Sequence, residues 1–377
     1  MLLKKLNLIN FRNYAKLDLD FDERTTILLG NNAVGKSNIL ESIYFLSTTK
    51  SGRVDREEEL IKEGEEFCKA SGVLSTVIAS EVKQSSSNES QTKIATKPSA
   101  SRNDEIILEI AIQTIDNLFS KRLKVNGIPK RAVDFIGNLP AVIFYPSDIN
   151  LVTGAPSLRR WHLDLSVAQV DPVYKKALTL YEQVLVSRNR VLKRIREGQG
   201  KKDELRFWTD ELLNKGKEIS DKRKVFFDFI NNLEKPLGGF IFEYLPSEFT
   251  MERLEETNGR EIAAAATLIG PHRDDFILKL GNRNLAHFGS RGEQRIATLA
   301  FKFLSLEYMA KILRKRPILL LDDVFSELDA DHRAAVVEIV NKQQTIIATV
   351  ELENIPKEFL DSARILKVED GRISETE

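Results

Sequence analysis

The stretch "TTILLGNNAVGKSN", residues 25–38, sets an apolar run against a glycine-bounded loop and a lysine–serine pair. Gly30, Gly35, Lys36 and Ser37 fit G-x-x-x-x-G-K-[ST]. In that pattern backbone N–H groups cradle phosphates, the lysine reaches the β- and γ-phosphates, and the hydroxyl binds Mg²⁺. The loop needs a strand before it and a helix after it, with the helix's positive dipole end turned to the anion. Both flanks meet the demand. "TTILL" reads as a buried strand, and "SNILESIYFL" repeats apolar residues at helical spacing through Ile39, Leu40, Ile43, Phe45 and Leu46. An α/β fold around a nucleoside triphosphate is therefore expected. Its ATP site is Gly30, Asn31, Asn32, Ala33, Val34, Gly35, Lys36, Ser37 and Asn38, with Lys36 catalytic and Ser37 a Mg²⁺ ligand. Ala33 stands where glycine is frequent, a variant expected to be tolerated.

A second stretch completes the chemistry. "ILLLDD", residues 318–323, puts two acids after four apolar residues, as a Walker B strand does. Such acids stand at the C-terminal strand edge, where α/β sheets bind ligands. Asp322 is expected to hold Mg²⁺ and Asp323 to orient the attacking water. "SRGEQR", residues 290–295, opens an amphipathic helix. Ser290 with Glu293 makes a capping box; the alternative reading turns Ser290 and the helix end toward a γ-phosphate. The order P-loop, S-x-G-x-Q, apolar strand with "DD" and then "SELD" is that of ABC-type ATPase heads.

Composition narrows the rest. A chain of 377 residues exceeds one ordinary core. No apolar run approaches the 18 or so residues of a membrane span, and "MLLKKLNLINFRNY" does not read as a signal peptide. One cysteine, Cys68, excludes an internal disulfide, and four scattered histidines offer no metal cluster. A cytoplasmic protein is expected. Residues 78–104 are rich in Ser, Asn, Gln and Lys without periodicity or aromatics, which reads as a disordered insertion in a hairpin. From about residue 170 the pattern reads as a helical hairpin, and residues 159–224 hold 17 basic and 10 acidic residues, densest at "RNRVLKRIREGQGKK". Arg190, Lys193, Arg194 and Lys201 are the DNA-binding candidates there. On charge alone a solvated, ion-paired face is an equal alternative.

The resemblance extends further than the superfamily. "NFRNY", "GNNAVGKSNILESIYFLS", "FYPSDINLVTGAPSLRRWHLD", "GPHRDDF", "GSRGEQR" and "LLLDDVFSELD" together resemble the RecF family of bacterial recombination-mediator ATPases. The resemblance implies an ABC-type (SMC/RecF-like) P-loop head with an inserted α-helical lobe. Residues 1–147 and 268–377 would form the head and 148–267 the lobe. It implies ATP and Mg²⁺ as cofactors, an ATP-dependent homodimer, and slow hydrolysis. It implies binding of single- and double-stranded DNA at gaps or junctions in repair, recombination, replication and the SOS response. RecR and RecO would be partners in loading the recombinase, with no membrane role. Arg12 and Asn13 would lie beside the phosphates, Ser290, Gly292 and Gln294 would touch the partner's ATP, and Asp329 would sit in the loop crossing the interface. Thr349 stands where a switch histidine is expected, and the Q-loop glutamine has no clear position near "FYPSD". His272 and Arg273 either bind phosphate or DNA or belong to a turn in which Asp274 and Asp275 pair with them. Arg159 and Arg160 either bind DNA or brace the lobes, and Cys68 and Trp208 are expected in the core. The alternatives are an SMC-like structural ATPase, which needs a long heptad arm, and another cytosolic ABC-type ATPase that does not act on DNA.

Overall fold

The computed structural model describes residues 2–75, 105–116, 118–369 and 371–375. The insertion expected at 78–104 lies outside the described residues. The strands are β1 (Leu2–Phe11), β2 (Tyr14–Asp20), β3 (Thr25–Leu29), β4 (Phe67–Ser75), β5 (Glu105–Ile115), β6 (Leu118–Val125), β7 (Ile128–Pro129) and β8 (Ala141–Phe144). β9 (Phe240–Leu245), β10 (Asp275–Leu280), β11 (Arg283–Asn284), β12 (Ile318–Asp322), β13 (Thr345–Thr349), β14 (Arg364–Glu369) and β15 (Arg372–Glu375) complete them.

The central sheet runs β15-β14-β3-β13-β12-β8. β14, β3, β13, β12 and β8 are parallel, and β15 returns antiparallel as the expected terminal hairpin. β8, β12 and β13 are buried along their whole length, which is why they read as unbroken apolar runs rather than alternating ones. Successive side chains still point to opposite faces. Ile27, Leu319, Leu321 and Ile347 enter one core with the helices Pro156–Ala168, Pro172–Arg196, Leu205–Asn232 and Arg291–Leu313. Leu28, Ile318, Leu320 and Ile346 enter the other with the helix Lys36–Thr48. That helix is covered in turn by the antiparallel sheet β2-β1-β4-β5-β6-β7. Leu17, Leu19 and Phe21 point into this second core while Asp18 and Asp20 face water, as the period-two pattern predicts. Cys68 is buried there, and burial pushes its thiol up to about 12, which leaves it unreactive.

The helical hairpin forms as expected from Pro172–Arg196 and Leu205–Asn232. Asp171 starts it by accepting the N–H groups of Val173 and Tyr174, both at 3.0 Å, a cap worth about 1 kcal/mol. A small sheet, β11-β10-β9, pairs Phe240–Leu245 with Asp275–Leu280, so hydrogen bonds cross the 267/268 division read from sequence.

Buried arginines tie the helices to the segment around Asp274 and Asp275. Arg159 grips Asp275 through two bonds, at 2.6 and 2.8 Å, and also donates to the Gly154 carbonyl. Arg223 bridges Asp164 and Asp274, each at 2.8 Å. The Asp274–Asp275 pair is thus taken by Arg223 and Arg159, not by His272 and Arg273 as the turn reading had it. His272 instead meets the Tyr181 hydroxyl at 2.7 Å and the Thr267 carbonyl at 3.1 Å. Arg159 is a brace, and Arg160 donates to the Asp274 carbonyl at 2.7 Å. Trp208 is only partly buried at the core's edge, because the helix turns it toward the hairpin tip.

Candidate functional site

The parallel strands place their C-terminal ends side by side. β3 runs into the P-loop, β12 ends at Asp322, β13 ends at Thr349, and β8 leads to Tyr145 and Pro146. A cleft of about 380 Å³ opens over these ends, lined among others by Asn32, Lys36, Ser37, Asp322, Asp323 and Thr349. That size is ordinary for a small-ligand site.

The loop's shape follows from its residues. Gly35 has φ 111°, and a Cβ there would lie 2.5 Å from the Asn13 amide. Gly30 passes so close to β14 that a Cβ would lie 2.4 Å from the Val368 carbonyl oxygen. Ala33 takes φ 66°, left-handed backbone in which an L-residue costs about 1–2 kcal/mol. Lys36 donates to the carbonyls of Gly30 (2.8 Å) and Asn31 (2.7 Å), arching over the loop. Burial lowers its pKa, and the charges of Asp322 and Asp323 oppose the shift.

Asp322 is buried, and burial raises its pKa against the pull of the Ser37 hydroxyl, Arg53 and Lys36. Ser37 and Asp322 line the same cleft, two oxygen groups of the kind a hard cation takes. Asp323 has φ 48° and anchors its N–H on the Ala348 carbonyl at 2.9 Å. Thr349 lines the cleft but spends its hydroxyl on the Glu351 carbonyl at 2.9 Å.

Arg53 also lines the cleft, and nothing in the sequence pattern singled it out. Its guanidinium donates to Asn38 Oδ1 at 3.1 Å, reaches Glu41 at 3.4 Å, and lies 5.5 Å from the Tyr145 ring centroid. The preceding Gly52 lets it approach, since a Cβ there would be 2.6 Å from the Trp161 ring.

Other expected site residues stand elsewhere in a single chain. Arg12 does not line the cleft; buried Glu41 takes its guanidinium through two bonds of 3.0 Å. Asn13 braces the loop from behind, between the Val34 carbonyl (3.2 Å) and the Asn38 amide (2.8 Å). Ser290 caps the helix Arg291–Leu313, accepting the Glu293 N–H at 3.2 Å while Glu293 accepts the Ser290 N–H at 2.8 Å. Gly292 is exposed and open, but Gln294 turns inward to the Leu285 carbonyl at 2.8 Å. Asp329 caps the helix Ala330–Val340 and binds His332. Neither Ser290, Gly292, Gln294 nor Asp329 lines the chain's own cleft.

Arg190, Lys193, Arg194 and Lys201 are all exposed at the hairpin tip. Arg194 pairs with Glu204 at 2.9 Å, and Lys193 lies 4.0 Å from Glu197. Arg188, in the same basic run, is internal: it pairs with buried Glu261 at 2.7 Å.

A phosphate loop, an acid-ended strand beside it, and a capped S-x-G-x-Q helix directed elsewhere define the class of ABC-type ATPase heads. A family model described as the RecF/RecN/SMC N terminal domain matches residues 2–373. The DNA replication and repair protein RecF of Oceanobacillus iheyensis is 31% identical, over 99% of this chain and 100% of that protein. RecF of Bacillus cereus strain G9842 is 32% identical, over 99% of this chain and 98% of its own length. A solved structure of the recombination mediator protein RecF with ATP in the RecFOR pathway superposes with a TM-score of 0.81 at 26% identity, covering 100% of this chain and 99% of that one. A second, with ATPrS, also gives 0.81, at 27% identity, covering 100% and 98%. The chain belongs to the RecF family and is an ABC-type ATPase. The family is one of DNA replication and repair proteins.

Proposed function

We propose that this chain is an ATP-gated, dimerising DNA-binding ATPase of replication and repair, working in the cytoplasm beside RecR and RecO. The observation that carries the reading is the separation of the two half-sites. Lys36, Ser37, Asp322 and Asp323 share one cleft, while Ser290 and Gly292 present an open helix end away from it. Two copies related by symmetry bring each open end to the other's cleft. Ser37 and Asp322 would hold Mg²⁺, which supplies charge neutralisation for the phosphates. Lys36 and the P-loop N–H groups bind the triphosphate, and Asp323 orients water. Arg53 supplies the cation that Thr349 cannot. The head comprises residues 1–147 and 268–377 and the lobe residues 148–267, with β9 and β10 stitched across. Among the described residues the longest helix, Leu205–Asn232, has 28 residues, far short of an SMC arm.

DNA would cross the exposed hairpin tip through phosphate contacts, which makes its affinity salt-dependent. The test is DNA binding with and without ATP at 50 and 200 mM salt (about 100-fold weaker at the higher salt for four contacts). Changing Arg190, Lys193, Arg194 and Lys201 together to Glu should weaken binding and make the salt slope shallower by about 0.9 per lost contact. Retained affinity with the same slope would make the tip a solvated, ion-paired face.

A further inference from the structure

Behind the nucleotide cleft, Asp148, His162 and Lys302 are buried together, 6%, 6% and 4% exposed. Lys302 Nζ forms an ion pair with Asp148 Oδ2 at 3.1 Å and donates to His162 Nδ1 at 3.1 Å. His162 Nε2 lies 3.6 Å from Asp148 Oδ1. Burial and then the Lys302 charge push the imidazole down to about 3 against the pull of Asp148, so the ring is neutral. Three segments meet here: the turn Pro146–Ile149, the helix Pro156–Ala168 and the helix Arg291–Leu313. Stability alone does not account for such a cluster. Desolvating an ion pair this deep usually offsets its attraction, and apolar side chains of the same volume do as well. What a buried pair fixes best is register.

Asp148 has a second bond that says which register. The same Oδ2 accepts the Tyr145 N–H at 2.9 Å and so closes the turn that begins at Pro146. Pro146 is a wall of the ATP cleft, and the Tyr145 ring lies beneath Arg53, another part of that wall. One carboxylate therefore ties the cleft wall to a helix that begins about 18 Å away at Ser290, at 1.5 Å per residue.

We propose that Asp148, His162 and Lys302 are positioning residues that hold the Pro146–Arg53 wall of the ATP cleft in register with the Ser290 helix. Nucleotide seated against the wall then sets the pose of the helix end offered to a second copy. The inference rests on the reading that ATP draws two copies together through Ser290.

Removing one charge strands the other, so the main variant is Asp148→Asn/Lys302→Met, which orphans neither and keeps an acceptor for the Tyr145 N–H. Binding of a fluorescent ATP analogue to the isolated chain is measured beside sedimentation in rising ATP. The double variant is expected to bind nucleotide within two-fold of wild type yet to need at least ten-fold more ATP for half-maximal association. Lys302→Arg, which retains the donor, should associate within three-fold of wild type. A double variant that associates like wild type overturns the proposal. So does one that loses nucleotide binding and association together, or does not fold, since the cluster would then serve the fold alone. Wild-type chains that stay monomeric in ATP would instead remove the dimer reading, and this inference with it.

Discussion

Arg53 is the side chain that we propose completes the site. Thr349 carries no charge and its hydroxyl is already bonded to Glu351, so β13 offers no cation to a γ-phosphate. Arg53 stands in the same cleft with part of its guanidinium free to solvent, held by Asn38 and Glu41. Arg53→Ala should lower kcat on the order of 100-fold, the usual effect of losing one preorganised charge at a developing anion. ATP affinity should fall less and Tm should barely move, because Glu41 retains Arg12 as its partner. A variant with unchanged turnover would remove Arg53 from the chemistry. The residues of the P-loop and Asp322 were legible because spacing along the chain fixes them. Arg53 was not, because its position depends on how the chain turns back after Thr48 over Asn38 and Glu41. Arg12 misled for the related reason that a nearby buried carboxylate, Glu41, competes for it, and no one-dimensional pattern marks that partner.

At the scale of elements, pattern and structure agree where an element has one buried face or two. The strands beside the P-loop, the helix after it and the helical hairpin all follow from periodicity. Sheet order did not, since β8, from mid-chain, pairs with β12, and β14, from its end, with β3. Neither did the small sheet that joins β9 to β10 across a helix and a long loop. The capping role of Ser290 was legible from Glu293, whereas the inward turn of Gln294 depends on carbonyls that only the folded loop supplies. The β4–β5 hairpin carries its own prediction. Ser75 and Glu105 are direct partners in its ladder, so the two ends that flank residues 76–104 lie side by side. Replacing them with Asn-Gly, a pair suited to a two-residue hairpin turn, should leave ATPase activity within two-fold. Tm should be unchanged or higher, because shortening a loop lowers its closure entropy. A large loss of ATP turnover or DNA affinity would show that the segment acts in the reaction.

For the whole molecule, the expected site residues fall in two places that one chain does not bring together. The cleft holds Lys36, Ser37 and the acids Asp322 and Asp323, and the open end of the Arg291–Leu313 helix holds Ser290 and Gly292. If Ser290 were only a cap, its loss would cost about 1 kcal/mol of stability and leave subunit association alone. If it completes a neighbour's site, two differently broken chains must restore each other. A Ser290→Arg chain keeps its P-loop but cannot complete a partner, and a Lys36→Ala chain has the reverse defect. The most direct measurement is sedimentation in ATP of each chain alone and of their equimolar mixture, with Asp323→Asn in both to slow turnover. Each chain alone should stay monomeric, and the mixture should form dimers holding one intact composite site. A mixture that stays monomeric under conditions where otherwise unmodified Asp323→Asn chains dimerise would contradict the trans arrangement.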